Sequence, residues 1–189
     1  MITLEATDIE QAHQYFSRTL KLVTEATAGL SEAQYRFKSD PDRWSIAEIL
    51  EHMVIVHERV LARIQEQLPA APAPPADFDS RRVDALIIEK IPDRSIKAKA
   101  PDFIQPAGIL APSQSLDRIS RSYERLAEYV ESNSSLREHV LESPPLRVVT
   151  EGECSLSDGY QWALTAAGHD ERHVRQIEEL KAHPNYPAS

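Results

Sequence analysis

The chain has 189 residues, a net charge of −9, 41% apolar and 27% charged residues, and one cysteine. That length suits one compact domain, 1–189, with its own core. No stretch reaches the roughly 20 apolar residues that cross a bilayer. The cations are scattered among carboxylates, without the basic stripe that neutralises phosphates, which argues against a nucleic-acid partner.

The opening MITLEATDIEQ carries neither a basic nor an apolar leader segment. The expectation is therefore a soluble, cytoplasmic protein with no membrane association. The lone Cys154 can form no internal disulfide, and its acidic setting, TEGECSLSD, does not suit a nucleophile.

Residues 8–28 place Ile9, Ala12, Phe16, Leu20 and Val23 at helical spacing, with Asp8 as the expected N-cap and Gly29 beyond the end. A short turn, LSEAQYRF, follows. Ser45 with Glu48 three residues on is a capping box, and nothing breaks the helical pattern from there to Leu68. PAAPAPPA at 69–76 reads as a stiff extended loop, because proline fixes φ and lacks the N–H.

A short helix is expected over 79–91. Residues 92–112 contain four prolines and read as an irregular crossover that wraps the body of the fold. Ser113 or Ser115 caps a helix over 113–133 with the stripe Leu116, Ile119, Tyr123, Leu126 and Val130. SLREHVLES adds a turn or two of helix until Pro144 and Pro145 stop it, and 146–156 is a loop with a short extended segment. The last long helix runs from about 157 to 181. Four long amphipathic helices without a clear strand make an all-α four-helix bundle.

The chemistry lies in the histidines. His169 and His173 are four residues apart in the last helix, so both imidazoles can aim at one point. At about 100° per residue they share an arc with Trp162, Ala166, Ile177 and Leu180. Inward-facing polar rings need partners, and a divalent metal would satisfy both. On the helix that starts at Ser45, His52 lies at the border of the apolar stripe and His57 nearer its centre. Residue pattern alone does not choose between them as a third ligand. Gly168, before His169, serves either close helix packing or room for a ligand.

Three motifs carry a resemblance. They are WSIAEILEHM at 44–53, the APDFIQPAGIL crossover, and AAGHDERHVRQIEEL at 166–180 with its H-x-x-x-H-x-x-Q-I. Together they resemble the DinB-like superfamily of metal-binding four-helix bundles, which includes bacillithiol-transferase-like and damage-inducible DinB-type proteins. The resemblance implies a metal site of His52, His169 and His173, holding Zn or Ni, with His57 not a ligand. Three imidazoles with open positions form the pattern of a catalytic site, since structural zinc sites are closed by four protein ligands.

The implied activity is transfer of a low-molecular-weight thiol cosubstrate to a small electrophilic substrate. The alternatives are a metal-dependent hydrolase and a non-catalytic metal-binding or stress-response module, and a homodimer is a further expectation. Glu48 is the nominated catalytic base. Glu48 and Asp170 are expected to accept from the ligating rings, Gln176 to reach the rim, and Trp162 with Tyr160 to wall the pocket. The 69–76 loop and the 92–112 crossover are expected to shape the mouth.

Overall fold

The computed structural model describes residues 3–96 and 99–188, so residues 97 and 98 of the expected crossover lie outside it. Four long helices form the body: α1 (Ala6–Thr27), α3 (Ile46–Ala62), α5 (Pro112–Ser132) and α7 (Gly159–Lys181). Shorter helices α2 (Glu32–Arg36), α4 (Ser80–Lys90) and α6 (Pro144–Val149) lie between them. This is the expected all-α bundle. Two three-residue strands, β1 (Val140–Glu142) and β2 (Leu156–Asp158), pair antiparallel with Val140 opposite Asp158. Among the described residues no helix is long and apolar enough to cross a membrane.

The long helices pack in the cyclic order α1–α7–α3–α5, and α4 covers α7 from outside. α7 is therefore the most enclosed element. Ala163, Leu164, Ala166, Ala167 and Ile177 are fully buried against Ile46, Ile49, Leu50 and Met53 of the α3 core face and Ile119 and Leu126 of α5. Gly168 is where the α7 backbone comes close to a neighbour. A Cβ there would lie 3.1 Å from Cβ and Cγ2 of Ile91 and 3.3 Å from the Tyr15 hydroxyl. Its use is close packing.

Several ends differ from the sequence expectation. α1 is capped by Glu5, and Asp8 is the third helical residue, its carboxylate accepting from Glu5 N at 3.0 Å. The helix from Ser45 is α-helical only to Ala62. Arg63–Gln67 forms a π turn and Leu68–Ala70 a 3-10 turn. α5 starts at Pro112 rather than after Ser113 or Ser115; proline suits a first helical turn, where no N–H is needed. For the same reason Pro144 and Pro145 open α6 rather than only ending what precedes them. SLREHVLES forms one 3-10 turn, Ser134–Arg137, and then β1.

A buried ionic cluster ties the start of α7 to its neighbours. Arg137, with a side chain 1% exposed, donates to Asp158 at 2.9 Å and to Asp84 at 2.8 and 3.2 Å, and Asp8 lies 3.5 Å away. Arg81 pairs with Asp8 as well. The guanidinium of Arg137 lies 4.4 Å over the Tyr160 ring, which fixes Tyr160 here and not at the histidines. Buried carboxylates that lose their common cation cost about 3–5 kcal/mol. Arg137→Met is expected to lower the unfolding free energy by about that amount in urea titration. Breaking the exposed Lys21–Glu25 pair should leave the midpoint unchanged within error.

Candidate metal centre

α7 presents His169 and His173 on successive turns, with ring centroids 4.4 Å apart. α3 crosses beside them and brings His52 to 4.9 Å from the His169 ring and 4.8 Å from the His173 ring. The three Nε2 atoms converge. His169 Nε2 lies 3.0 Å from that of His52 and 3.1 Å from that of His173. Three nitrogens bound at about 2.0–2.1 Å to one ion stand about 2.9–3.4 Å apart, so the spacing fits a divalent cation.

The distal nitrogens decide what converges. Nδ1 of His52 donates to the Ile104 carbonyl at 2.7 Å. A carbonyl only accepts, so the proton is on Nδ1 and Nε2 carries a bare lone pair. Nδ1 of His173 lies 2.9 Å from Gln176 Oε1, which also accepts from Arg94 Nη1 at 3.3 Å. A guanidinium only donates, so that oxygen is an acceptor and His173 too offers a bare Nε2. Nδ1 of His169 faces Oδ1 of Asp170 at 3.6 Å.

Burial, then the neighbouring His169, pushes His52 down to about 3. Burial, then His169 and His52, holds His173 well below the ordinary histidine range. Neutral imidazole is the form that ligates a metal. The donor set fits a cation and leaves coordination positions open.

Around this centre the structure redistributes the expected roles. Gln176, expected at the rim, lies beside His173 on the next turn of α7. Asp170 is fully buried, and its second oxygen accepts from His57 and Tyr123. Burial opposes ionisation of Asp170, but the neighbouring His57, its hydrogen bond, and His169 hold its carboxyl below the usual range. His57 is a fully buried histidine with a side-chain partner, and it faces Asp170 rather than the triad.

Glu48 is not placed as a base. One carboxylate oxygen accepts from Ser45 N at 2.8 Å and the other from Lys38 at 2.7 Å, because it closes the capping box. Nor does Trp162 wall the site. It packs against the Arg63 guanidinium at 4.5 Å, two helical turns before His169 and about 10 Å along the axis. The aromatic wall is Trp44, 4.6 Å from the His52 ring and 6.2 Å from His173.

Of the two expected covering segments, only the crossover reaches the centre. Besides Ile104, it is held by Arg172, which donates to the Asp93 and Ile96 carbonyls, and by Arg59, which donates to the Phe103 carbonyl at 2.8 Å. The buried carboxylate of Glu51 takes the amides of Ala107, Gly108 and Ile109 at 3.4, 2.7 and 3.2 Å. The 69–76 loop instead lies along β1, where the Ala71 and Pro72 carbonyls accept from His139 Nδ1 and Val140 N.

Sequence reasoning missed the Ile104 carbonyl and the Glu51 clamp. A backbone carbonyl leaves no side-chain signal. A buried glutamate beside His52 was legible only as one more polar residue on the helix.

The sequence profile of the DinB superfamily matches residues 15–177. The chain is 26% identical over 155 residues to the uncharacterized protein YuaE of Bacillus subtilis (strain 168), an alignment spanning 81% of this chain and 86% of that one. It superposes on the structure of YfiT from Bacillus subtilis with a TM-score of 0.56 at 12% identity, covering 95% of this chain and 89% of that one. YfiT is described as a probable metal-dependent hydrolase with an unusual four-helix bundle topology.

Two outcomes follow. His52 and His173 are held neutral in the folded protein, whereas an unfolded histidine titrates near 6.5. Below that pH the unfolded chain binds protons that the folded chain does not. The stability of metal-free protein is therefore full above about 6.5 and falls as the pH drops, the His52 share being exhausted near 3. Urea unfolding across this range should show the fall, and His52→Gln should flatten it. Glu51→Ala removes an acceptor whose hydrogen bonds contribute about 1.5–3 kcal/mol each. Amide exchange at residues 107–109 should quicken roughly tenfold or more, with mid-α3 amides unchanged.

Proposed function

The chain belongs to the DinB superfamily, and we propose that it is a divalent-metal-dependent enzyme that joins a low-molecular-weight thiol to a small electrophile at His52, His169 and His173. The supporting observation is that three imidazoles on two helices, two buried and one half-buried, turn their Nε2 atoms to one point, two of them with the proton held on Nδ1 by an obligate acceptor. When bound there, a divalent cation supplies Lewis acidity and lowers the pKa of a thiol or water in the open position. Zn and Ni both suit three imidazoles.

The chain's own residues do the remainder. The three histidines bind, while Ile104 and Gln176 fix the orientation of two rings and Trp44 covers them. The thiol gives up its proton to solvent and its sulfur forms a bond to the electrophilic carbon. The leaving group departs with the bonding pair, or in an addition the adjacent atom takes the proton.

Thiol transfer is favoured over hydrolysis by the carboxylates beside the ligands. Water as nucleophile calls for a general base; Glu48 and Glu51 are committed to other groups, and Asp170 is fully buried with its unpaired oxygen turned to His169. A thiol starts from a pKa of about 8.5 against about 15.7 for water, so the same lowering leaves it as thiolate without a base. Hydrolysis is the second reading, supported by the description of YfiT as a probable metal-dependent hydrolase.

Untagged protein should carry about one equivalent of divalent metal, and His52→Ala should lose it. Cobalt-loaded protein should change its visible absorption on adding thiol and consume an alkylating electrophile in a thiol-dependent way. Ester cleavage without thiol would instead select hydrolysis. Metal without either activity would leave a binding module, and no metal after incubation with Zn²⁺ or Ni²⁺ would end the proposal.

A further inference from the structure

Beside the three imidazoles lies a polar group that the proposed chemistry does not use. Nε2 of His57, from α3, donates to Oδ2 of Asp170 at 2.9 Å. The hydroxyl of Tyr123, from α5, donates to the same oxygen at 2.9 Å. The His57 and Tyr123 rings meet edge to face at 4.8 Å, and Phe16 of α1 packs on Tyr123 at 5.6 Å. His57 and Asp170 are fully buried and Tyr123 nearly so. Side chains from two helices thus converge on one carboxylate of a third, next in sequence to a member of the triad.

Both donors use a single oxygen. The other, Oδ1, has no hydrogen-bond partner, and neither has Nδ1 of His169, 3.6 Å away. One of these atoms only accepts and the other can donate. A movement of about 0.5 Å closes the gap to a hydrogen bond. The consequence is tautomeric. With its proton on Nδ1, His169 turns a bare Nε2 to the same point as His52 and His173. Without an acceptor at Nδ1, the proton moves to Nε2, where the imidazole nitrogens at 3.0 and 3.1 Å accept it.

We propose that His57 and Tyr123 are positioning residues for the metal centre: by clamping Oδ2 of Asp170 they aim Oδ1 at His169 Nδ1, ready to accept from that nitrogen once a metal takes Nε2. The proposal rests on the metal reading above. It gives His57 a role the triad does not provide, and it extends the centre's support to α5, which contributes no ligand.

The test uses the full chain, stripped with a chelator and titrated with Co²⁺ against a chromophoric competitor. Tyr123→Phe keeps the ring packing and removes only the hydroxyl. His57→Leu removes the other donor. His57→Gln restores one, since its amide nitrogen reaches the place of Nε2. Tyr123→Phe and His57→Leu are expected to weaken Co²⁺ binding roughly 10- to 100-fold and to shift the cobalt bands, with His57→Gln recovering most of the affinity.

In zinc-loaded protein, proton–nitrogen spectra of the imidazoles should show the His169 Nδ1 proton at the low field of a hydrogen bond to a carboxylate in the wild type and shifted upfield in Tyr123→Phe. A role in packing alone would leave that proton and the cobalt bands unmoved. Wild-type affinity, bands and Nδ1 proton shift in Tyr123→Phe would overturn the inference and leave the metal reading standing. Failure of the wild type itself to bind Co²⁺ would overturn both.

Discussion

Three imidazoles turn Nε2 to one point, and the bare nitrogens of His52 and His173 leave a place there for one positive centre, the proton of His169 or a cation. The Nε2 separations of 3.0 and 3.1 Å persist because the far side of each ring meets a different part of the chain. His52 is backed by the crossover, His173 by the next turn of its own helix, and His169 faces a carboxylate clamped from two other helices. A cation at the meeting point takes the place of that proton. The burial that keeps His52 and His173 neutral also keeps them available to it.

Such an arrangement needs a helix that does not shift along its axis. α7 is fixed at its first turn, where Asp158 accepts from Gln161 N at 2.8 Å and pairs with the buried Arg137 at 2.9 Å. Arg137 also holds Asp84, so α7 is tied to α4. A helix rises about 1.5 Å per residue, which sets His169 about 16 Å from this anchor. A one-residue slip would rotate both histidines off the α3 face. The ionic cluster and the candidate centre therefore sit at different levels of the same helix, the first fixing the register that the second requires. Burying several charges is a poor source of net stability but a strong constraint on which arrangement forms.

Much of this was legible in the sequence. The i, i+4 spacing of His169 and His173, the inward arc they share with Ile177, and the Ser45–Glu48 box all appear as the periodicity and capping rules imply. The choice between His52 and His57 was not. A helical wheel gives burial, and both are buried; what separates them is which neighbour each faces across the bundle, a property of packing order. Glu48 was misplaced as a base although its capping role was visible, because a capping glutamate turns back toward its own helix start. Trp162 was misassigned because sharing an arc says nothing about height along the helix, and two turns put it beside Arg63. The prolines at 144 and 145 read as a stop, yet the feature that ends one helix suits the first turn of the next.

The crossover joins the centre to whatever approaches it. One end is held through Arg94, which donates to Gln176 and Glu179, and further along the Ile104 carbonyl accepts from His52 Nδ1. The Ile104 attachment needs His52 Nδ1 protonated and Nε2 bare. The tautomer that suits a metal is thus the one that holds this part of the crossover. A proton on His52 Nε2 in place of Nδ1 would remove the donor to Ile104 and disfavour metal binding as well. The segment beside the centre and the nitrogen His52 offers there answer to the same proton. The three amides on Glu51, beside His52 in α3, fix the loop beyond Ile104 to the same helix. In this fold the long irregular connection is part of the centre, whereas the shorter proline-rich one, at the Arg137 level, is part of the frame.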